Sequence, residues 1–367
     1  MTTTTTGGWT LADLLAGRRL ADVLGHDVDE AAVALEAVPY AAGSPATGGL
    51  LRLRGGGAHV FVKVLQHVRH WPYLRFLPPA EAAHFAAFFP WSEELAAWRP
   101  HFVDRLPAGL RVPQLYEVVD LGDDRVAVWM EDVDVADVAW DVDRYARAAR
   151  LLGAFNARMC EPEVLATTAF EPDYGLRMWA ENALESQGFA ALEDDGVWSL
   201  PAFARHHDVR ARLRAARPLV PGVLARFATL RHGMPHGDAS PQNLLVPAAD
   251  PAAFVVIDIG FQTPAPLGFD LSQLVVGLAH AGLLPASALP DVERAVLPAY
   301  ADGVRSVGTP IEDTEVAATY AGALLVRSGF TALPYREAAG AKAGDVDDRA
   351  DLTRFVLAAA DRYLATG

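Results

Sequence analysis

The sequence holds a single cysteine, Cys160, so no disulfide can form within the chain. That residue sits in LLGAFNARMC, a helical pattern in which a lone thiol reads as a small core side chain rather than a nucleophile. Basic residues are outnumbered: 31 Lys and Arg against 46 Asp and Glu give a formal net charge of -15. This excludes a general nucleic-acid binder, because phosphate backbones demand a surplus of cations. An acidic surface serves solubility and would also suit a cationic substrate. Long hydrophobic runs are missing too. The most apolar stretch, 271–284, is too short and too interrupted to span a bilayer. The opening MTTTTTGG has neither the basic start nor the apolar core of a signal peptide. A cytoplasmic protein with no membrane and no nucleic-acid partner is therefore expected. Paired histidines occur (His67 and His70, His206 and His207, His232 and His236) but lack the spacing and companions of a zinc site.

What is present is a large core. With 51% hydrophobic and 21% charged residues over 367 positions, the chain reads as globular and longer than one average domain. After a short tail, Leu11, Leu14, Leu15 and Leu20 recur near helical spacing and predict an amphipathic helix over 9–24. Within 32–65, AVALEAVPY, GGLLRLRG and AHVFVKVL are short β-compatible segments separated by glycines, which reads as an antiparallel meander. A helix is expected over about 92–106, then two strands, VPQLYEVVDL and RVAVWMED, joined by the turn GDD. Beyond Asp132 the pattern turns helical: a long amphipathic helix at 141–159, further stretches near 176–186, 203–215 and 219–231, and almost everything after Phe269. Only PHGDASPQNLLV and AAFVVIDIG interrupt it, as two brief strands around a loop. The expected organisation is a disordered tail at 1–8, a β-rich N-lobe with a helix at 9–132, and a larger, mostly helical C-lobe at 133–367.

The sharpest chemical signal is His236-Gly237-Asp238-Ala239-Ser240-Pro241-Gln242-Asn243, followed by Ile257-Asp258-Ile259-Gly260 with Asp258 twenty positions after Asp238. Phosphoryl transfer needs a carboxylate to orient and deprotonate the attacking hydroxyl, and oxygen ligands to hold magnesium on the phosphates. Asp238 and Asn243 stand at the two ends of a tight loop, a spacing that lets one face the acceptor and the other the metal. Asp258 follows an apolar strand and precedes a glycine, so its carboxylate is expected to emerge beside that loop. Further upstream, Phe61, Lys63 and Leu65 share one face of a strand, and a lysine there demands an anionic partner.

These segments resemble the catalytic loop and metal-binding motif of the aminoglycoside phosphotransferase and choline kinase superfamily, relatives of the protein kinases. The resemblance spans roughly 38–278 and implies an α+β, bilobal protein-kinase-like fold with the nucleotide between the lobes. It implies that Asp238 is the catalytic base, that Asn243 and Asp258 hold Mg²⁺, and that His236 is a structural member of the loop. Asp270, in LGFDLSQL, would brace that loop through backbone hydrogen bonds. Lys63 would contact the phosphates of ATP (or GTP) and pair with an acid of the next helix, Glu94 or its neighbour Glu93. The glycine-bearing segment 43–49, with Gly48, would cover the phosphates, although a plain hairpin turn explains it equally well, and backbone groups near Met130 and Val133 would meet the purine. Glu131 and Asp132 read equally well as solvated linker charges.

The expected reaction is transfer of a γ-phosphoryl group to a small-molecule hydroxyl. The loop reads HGD where protein kinases carry HRD, and no APE-like segment follows IDIG, which points away from protein acceptors. An aminoglycoside or other sugar-bearing antibiotic is the favoured acceptor, because the alanine-, arginine- and aspartate-rich composition suggests a high-GC genome and a need for self-resistance. A metabolic sugar, amino sugar or amino alcohol is the alternative, and a catalytically silent nucleotide-binding protein the reading from another class. Acids at Glu193, Asp194 and Asp195, with Asp173 and Glu181, lie in the region that shapes the acceptor pocket in the resembling enzymes, where they would suit an aminated substrate, and they read also as a solvated loop. The cluster Asp345, Asp347 and Asp348 reads as a helix start.

Overall fold

The structure, a computed structural model, describes residues 4–5, 8–41, 43–168, 170–172 and 174–364. Most of the stretch 1–8 expected as a tail lies outside them. The chain divides into two compact units: Met1–Val103, Arg111–Ala136 and Val246–Gly260 form the first, and Asp104–Leu110, Asp137–Leu245 and Phe261–Gly367 the second.

The first unit is built on an antiparallel sheet of five strands: β1 (Ala34–Ala37), β2 (Thr47–Gly55), β3 (Ala58–Gln66), β4 (Leu115–Gly122) and β5 (Arg125–Glu131), in the order β1-β2-β3-β5-β4. Asp123 and Asp124, both at φ 53, join β4 to β5 in the left-handed backbone conformation that a tight hairpin turn needs to match the right-handed twist of its strands. Alternation along β3 divides its side chains between two cores. Val60, Val62 and Val64 pack with Leu51, Leu53, Trp129, Leu14 and Leu20 on one face. Leu65 and Phe61 pack with Val128, Met130, Leu95 and Trp98 on the other. A slip of one residue would exchange the two sets, so the hydrophobic pattern fixes the register.

Three local features differ from the sequence expectation. The helix over 9–24 is two short ones, Leu11–Leu15 and Leu20–Leu24, because Ala16 at φ 47 and Gly17 at φ 84 close the first with a left-handed cap. The helix over 92–106 is a 3-10 segment, Glu93–Trp98, followed by Pro100–Val103; Pro100 has no N–H with which to continue the first piece. A further helix, Pro79–Phe88, has no buried residue and no helical stripe that would have announced it.

The second unit is mainly helical; its helices include α1 (Val142–Arg158), α2 (Leu271–His280), α3 (Leu289–Ser306), α4 (Asp313–Leu324) and α5 (Ala343–Tyr363). The side chain of Asp141 caps α1 by accepting from the amide of Arg144 at 2.8 Å. α1 and α3 meet backbone to backbone. A Cβ on Gly153 would stand 2.2 Å from the carbonyl oxygen of Tyr300, and one on Gly303 would stand 2.0 Å from that of Arg150. That approach brings the Asn156 amide within 3.1 Å of the Tyr300 hydroxyl. Two segments widen into π-helix: Ala180–Phe189, continuing from Tyr174–Trp179, and Leu325–Gly329, continuing from α4. Phe189 and Phe330 pack edge to face at 4.9 Å between them. Among the described residues, no helix is long and apolar enough to cross a membrane.

Because the atoms opposing a methyl group at position 303 are main-chain atoms, Gly303→Ala should destabilise the protein by about 1–3 kcal/mol or more. An unchanged urea midpoint for that variant would show that α1 and α3 can separate at no penalty.

Candidate active site

Lys63 occupies the middle strand of the first unit's sheet, level with Leu50 on β2 and Val128 on β5. It is one of two lysines in the sequence; the other, Lys342, is exposed at the start of α5. Only 8% of Lys63 is exposed, and its Nζ lies 2.6 Å from Glu94 Oε2 and 2.9 Å from Asp258 Oδ1. Of the two candidate acids, therefore, Glu94 is the one that reaches the lysine. Burial alone would pull the Lys63 ammonium down, but the attraction of Glu94 and Asp258 outweighs it and leaves the pKa above its ordinary value. Burial pushes the Glu94 carboxyl up, against the pull of Lys63. Two carboxylates around one ammonium leave this cluster with a negative surplus. Asp258 is the exposed member, with 45% of its side chain accessible, and its backbone sits at φ 60. A non-glycine residue in that region is strained by about 1–3 kcal/mol, and such strain collects at functional sites.

The other first-unit candidates fall differently. Gly48 lies inside β2 rather than in the preceding loop, since the strand already begins at Thr47. A bulge between Thr47 and Gly49 and a 2.9 Å hydrogen bond from the Trp9 indole to the Gly48 carbonyl hold it there. Met130 is a buried rung between Phe61 and Leu115, and Val133 follows the strand half-buried. Neither acid beside them is a solvated linker charge. Glu131 takes a two-pronged pair from Arg111 at 2.6 and 2.7 Å, which holds its carboxyl below the usual range. Asp132 is buried beneath Arg52 at 3.1 Å, Arg54 at 2.9 Å and His59 at 3.3 Å.

In the second unit the segment 236–243 forms a tight loop organised around Asp270. That carboxylate is fully buried and accepts from the amide of His236 at 3.0 Å, the amide of Gly237 at 2.9 Å and the side-chain amide of Asn156 at 2.9 Å. Asn156 also donates to the Tyr300 hydroxyl, which accepts from the amide of Gly268 at 2.9 Å. Gly237 has φ 87, and a Cβ there would stand 2.2 Å from the carbonyl oxygen of Phe261, so only glycine fits. His236 is fully buried and accepts from the Asp238 amide through Nδ1 at 3.3 Å. Asn243 donates from Nδ2 to the Asp238 carbonyl at 2.8 Å and to its Oδ2 at 3.3 Å. The Asp238 carboxylate is left 28% exposed. Sequence reasoning missed one neighbour, Arg327, whose guanidinium donates to the Gly237 carbonyl at 2.7 Å and approaches Asp238 Oδ1 at 3.4 Å. Only a structure could reveal it, because it stands 89 positions from Asp238 in no recognisable motif.

Several other features have structural partners. Glu193 pairs with Arg214 at 2.6 Å, Asp195 pairs with Arg210 at 2.8 Å, and Asp194 caps the turn beyond it through the amides of Gly196 and Val197. Asp173 lies outside the described residues. Asp347 meets Arg205 and His206, and Asp345 sits in the first turn of α5. Burial pushes the Cys160 thiol up to about 11, which makes it inert. His280, the last residue of α2, bonds Ser328 Oγ at 3.0 Å and receives Arg349 at 3.2 Å on its other nitrogen. It also lines a cavity of about 340 Å³ with Arg349 and Tyr335.

No family model and no curated protein matches the chain. Solved structures do. An aminoglycoside phosphotransferase from Alicyclobacillus acidocaldarius is similar with a TM-score of 0.53 at 15% identity, over 96% of this chain and 99% of that one. The fold is that of the aminoglycoside phosphotransferases. A spectinomycin phosphotransferase in complex with ADP and spectinomycin has a TM-score of 0.52 at 10% identity, covering 93% of this chain and 96% of its own. An amicoumacin kinase in complex with AMP-PNP and Ca²⁺ has a TM-score of 0.50 at 13% identity, covering 93% and 91%.

This geometry generates two expectations. Asp270→Asn, which turns a donor towards amides that need an acceptor, should lower stability by about 1–3 kcal/mol in denaturant titration; a midpoint within error of wild type would remove Asp270 from its bracing role. The second concerns pH. Burial, then the charges of Arg349 and Arg327, lower the His280 pKa to about 4. Below the unfolded value near 6.5 the unfolded chain binds the extra proton, so stability falls between pH 7 and pH 5, by about 2 kcal/mol. His280→Gln should flatten that part of the profile, and a profile identical to wild type would contradict the assignment.

Proposed function

We propose that the protein transfers the γ-phosphoryl group of ATP, or of GTP, to a hydroxyl of a small molecule. The observation that carries this reading is the buried Lys63 ammonium held between Glu94 and a strained, half-exposed Asp258. A lysine kept charged on the apolar face of a sheet has no packing value of its own, and Glu94 alone would neutralise it. The second carboxylate makes sense when phosphates and a cation share the site. Lys63 then serves the phosphates with Glu94 fixing its direction, and the main chain near Met130 and Val133 serves the purine. Gly48, held within its strand, offers backbone next to the segment that covers the phosphates.

Among the described residues, no group of three or more His, Cys, Asp or Glu side chains gathers for a metal. Magnesium bound with a nucleotide needs only one or two protein oxygens, because phosphates and water complete its octahedron. The residues that would supply those oxygens are Asp258, through its accessible carboxylate, and Asn243, through its side-chain oxygen, its amide nitrogen being tied to Asp238. Magnesium supplies charge neutralisation on the phosphate oxygens.

Asp238 orients the acceptor hydroxyl and takes its proton. The acceptor oxygen forms a bond to the γ-phosphorus as the bond from that phosphorus to the β,γ-bridging oxygen breaks, and the nucleoside diphosphate departs with the bridging oxygen. Asp270 and His236 keep Asp238 in place, so the chemistry rests on positioning and charge rather than on a covalent intermediate.

For the acceptor, the resemblance to antibiotic phosphotransferases supports a sugar-bearing antibiotic, with a metabolic sugar or amino alcohol as the second reading.

The test is mass spectrometry of pooled hydroxylated compounds, cationic, neutral and anionic, incubated with the protein, Mg²⁺ and ATP or GTP. A product heavier by one phosphoryl group is expected with wild type. Asp238→Asn should reduce its formation by about 10²–10⁴-fold while retaining Mg-nucleotide affinity. Wild-type turnover in that variant would sink the role given to Asp238. Failure of wild type to bind nucleotide would sink the whole reading, and nucleotide binding without any product would favour the silent-kinase alternative.

A further inference from the structure

Arg327 stands in the π-helical stretch that ends α4. The wide turn inserts a residue relative to α-geometry and re-aims consecutive side chains. Arg327 is thereby turned to the loop while Ser328 meets His280. The carbonyl of Arg327 is satisfied by the Thr331 hydroxyl at 3.0 Å. Its side chain is only 10% exposed and lies 5.2 Å from the ring centre of Phe269 and 6.0 Å from that of Trp179. Burial pulls the pKa of the guanidinium down, and the charges of Asp238 and Asp270 oppose that pull.

We propose that Arg327 is a positioning residue that fixes the aim of Asp238 by clamping the Gly237–Asp238 peptide at a point that Asp270 does not reach. The proposal rests on the role given to Asp238 in the transfer reaction. A glycine at φ 87, such as Gly237, has little intrinsic preference for that conformation, so the plane of the peptide after it must be set from outside. Asp270 holds the two amides that enter the turn, those of His236 and Gly237. Nothing in that bracing reaches the carbonyl of Gly237; the other end of the same peptide, the Asp238 amide, meets His236 Nδ1 at 3.3 Å, so the carbonyl end is the one still to be fixed. Arg327 does reach it, through Nη1, and its Nη2 faces Asp238 Oδ1 while Oδ2 faces Asn243. A planar fork can hold a carbonyl and a carboxylate together, whereas a compact ammonium does not match that pair of acceptors. Lysine is therefore a poor substitute although it keeps the charge.

The test compares Arg327→Lys, Arg327→Gln and Arg327→Ala in the full chain. Hydrolysis of Mg-ATP, with water as the acceptor and Asp238→Asn as the blank, supplies the rate. The Lys and Gln variants should both lose about 10–100-fold in kcat, because a displaced base loses most of its contribution. KM for Mg-ATP should stay within about twofold, since Arg327 touches no group assigned to the nucleotide. Added guanidinium chloride, kept far below denaturing concentrations, should restore part of the rate to Arg327→Ala, and methylammonium should not. Amide exchange over 236–243 should rise in the Gln variant while α1 and α3 remain protected, a readout that needs no turnover. Wild-type kcat in either the Lys or the Gln variant, or unchanged exchange across the loop, overturns the proposal. So does a rate loss that tracks unfolded protein and is not rescued by guanidinium. An Asp238→Asn variant that still turns over defeats the reading of the loop itself, whereas an inactive Asp238→Asn beside a fully active Arg327→Gln defeats only the role of Arg327.

Discussion

One buried carboxylate organises the second unit. Asp270 has no contact with water and would be intolerable there as a bare charge, so all three of its donors have to be present together. Two of those donors are the amides of the candidate catalytic loop, and the third is a side chain on α1 that also reaches α3. The loop therefore cannot change shape without disturbing the helix pair, and the helix pair cannot separate without unsatisfying the charge. Gly153 and Gly303 belong to the same constraint, because only their missing side chains let α1 and α3 come close enough for Asn156 to meet Tyr300. Helix packing and loop geometry are two ends of one network.

The charge around the two candidate sets is distributed unequally. In the first unit one ammonium faces two carboxylates, an arrangement short of positive charge. In the second, a guanidinium stands beside the one carboxylate assigned to the acceptor. Both cations are mostly buried and hydrogen-bonded in place, which is the condition under which an electrostatic contribution survives the competition of water.

Much of this was legible in the sequence because it depends on local pattern. The alternation in VFVKVL put Lys63 on the face of Phe61 and Leu65 without any structure, since strand side chains repeat every two residues. The compact spacing of HGDASPQN and the apolar run before Asp258 marked a loop and a strand end in the same way. What escaped depends on distant partners or on departures from regular helix. The choice between Glu93 and Glu94 turned on a 3-10 segment whose register a helical period does not give. Arg327 had no signal because a π turn has no sequence signature of its own, and its target lies in another part of the unit. Glu193 and Asp195 looked available only because the arginines that pair with them are not adjacent in sequence.

The scarcity of lysine gives the buried ion pair a further use. The chain carries only two ε-amines, and they differ as sharply as two such groups can. Lys342 is open to solvent, while Lys63 is enclosed, protonated and held by two acids. Acylation requires the free amine, so a reagent in solution meets Lys342 at once and Lys63 only when β3 is released from its neighbours. The ratio of label at the two positions is thus a built-in clock for local opening of the first unit, readable from a single digest.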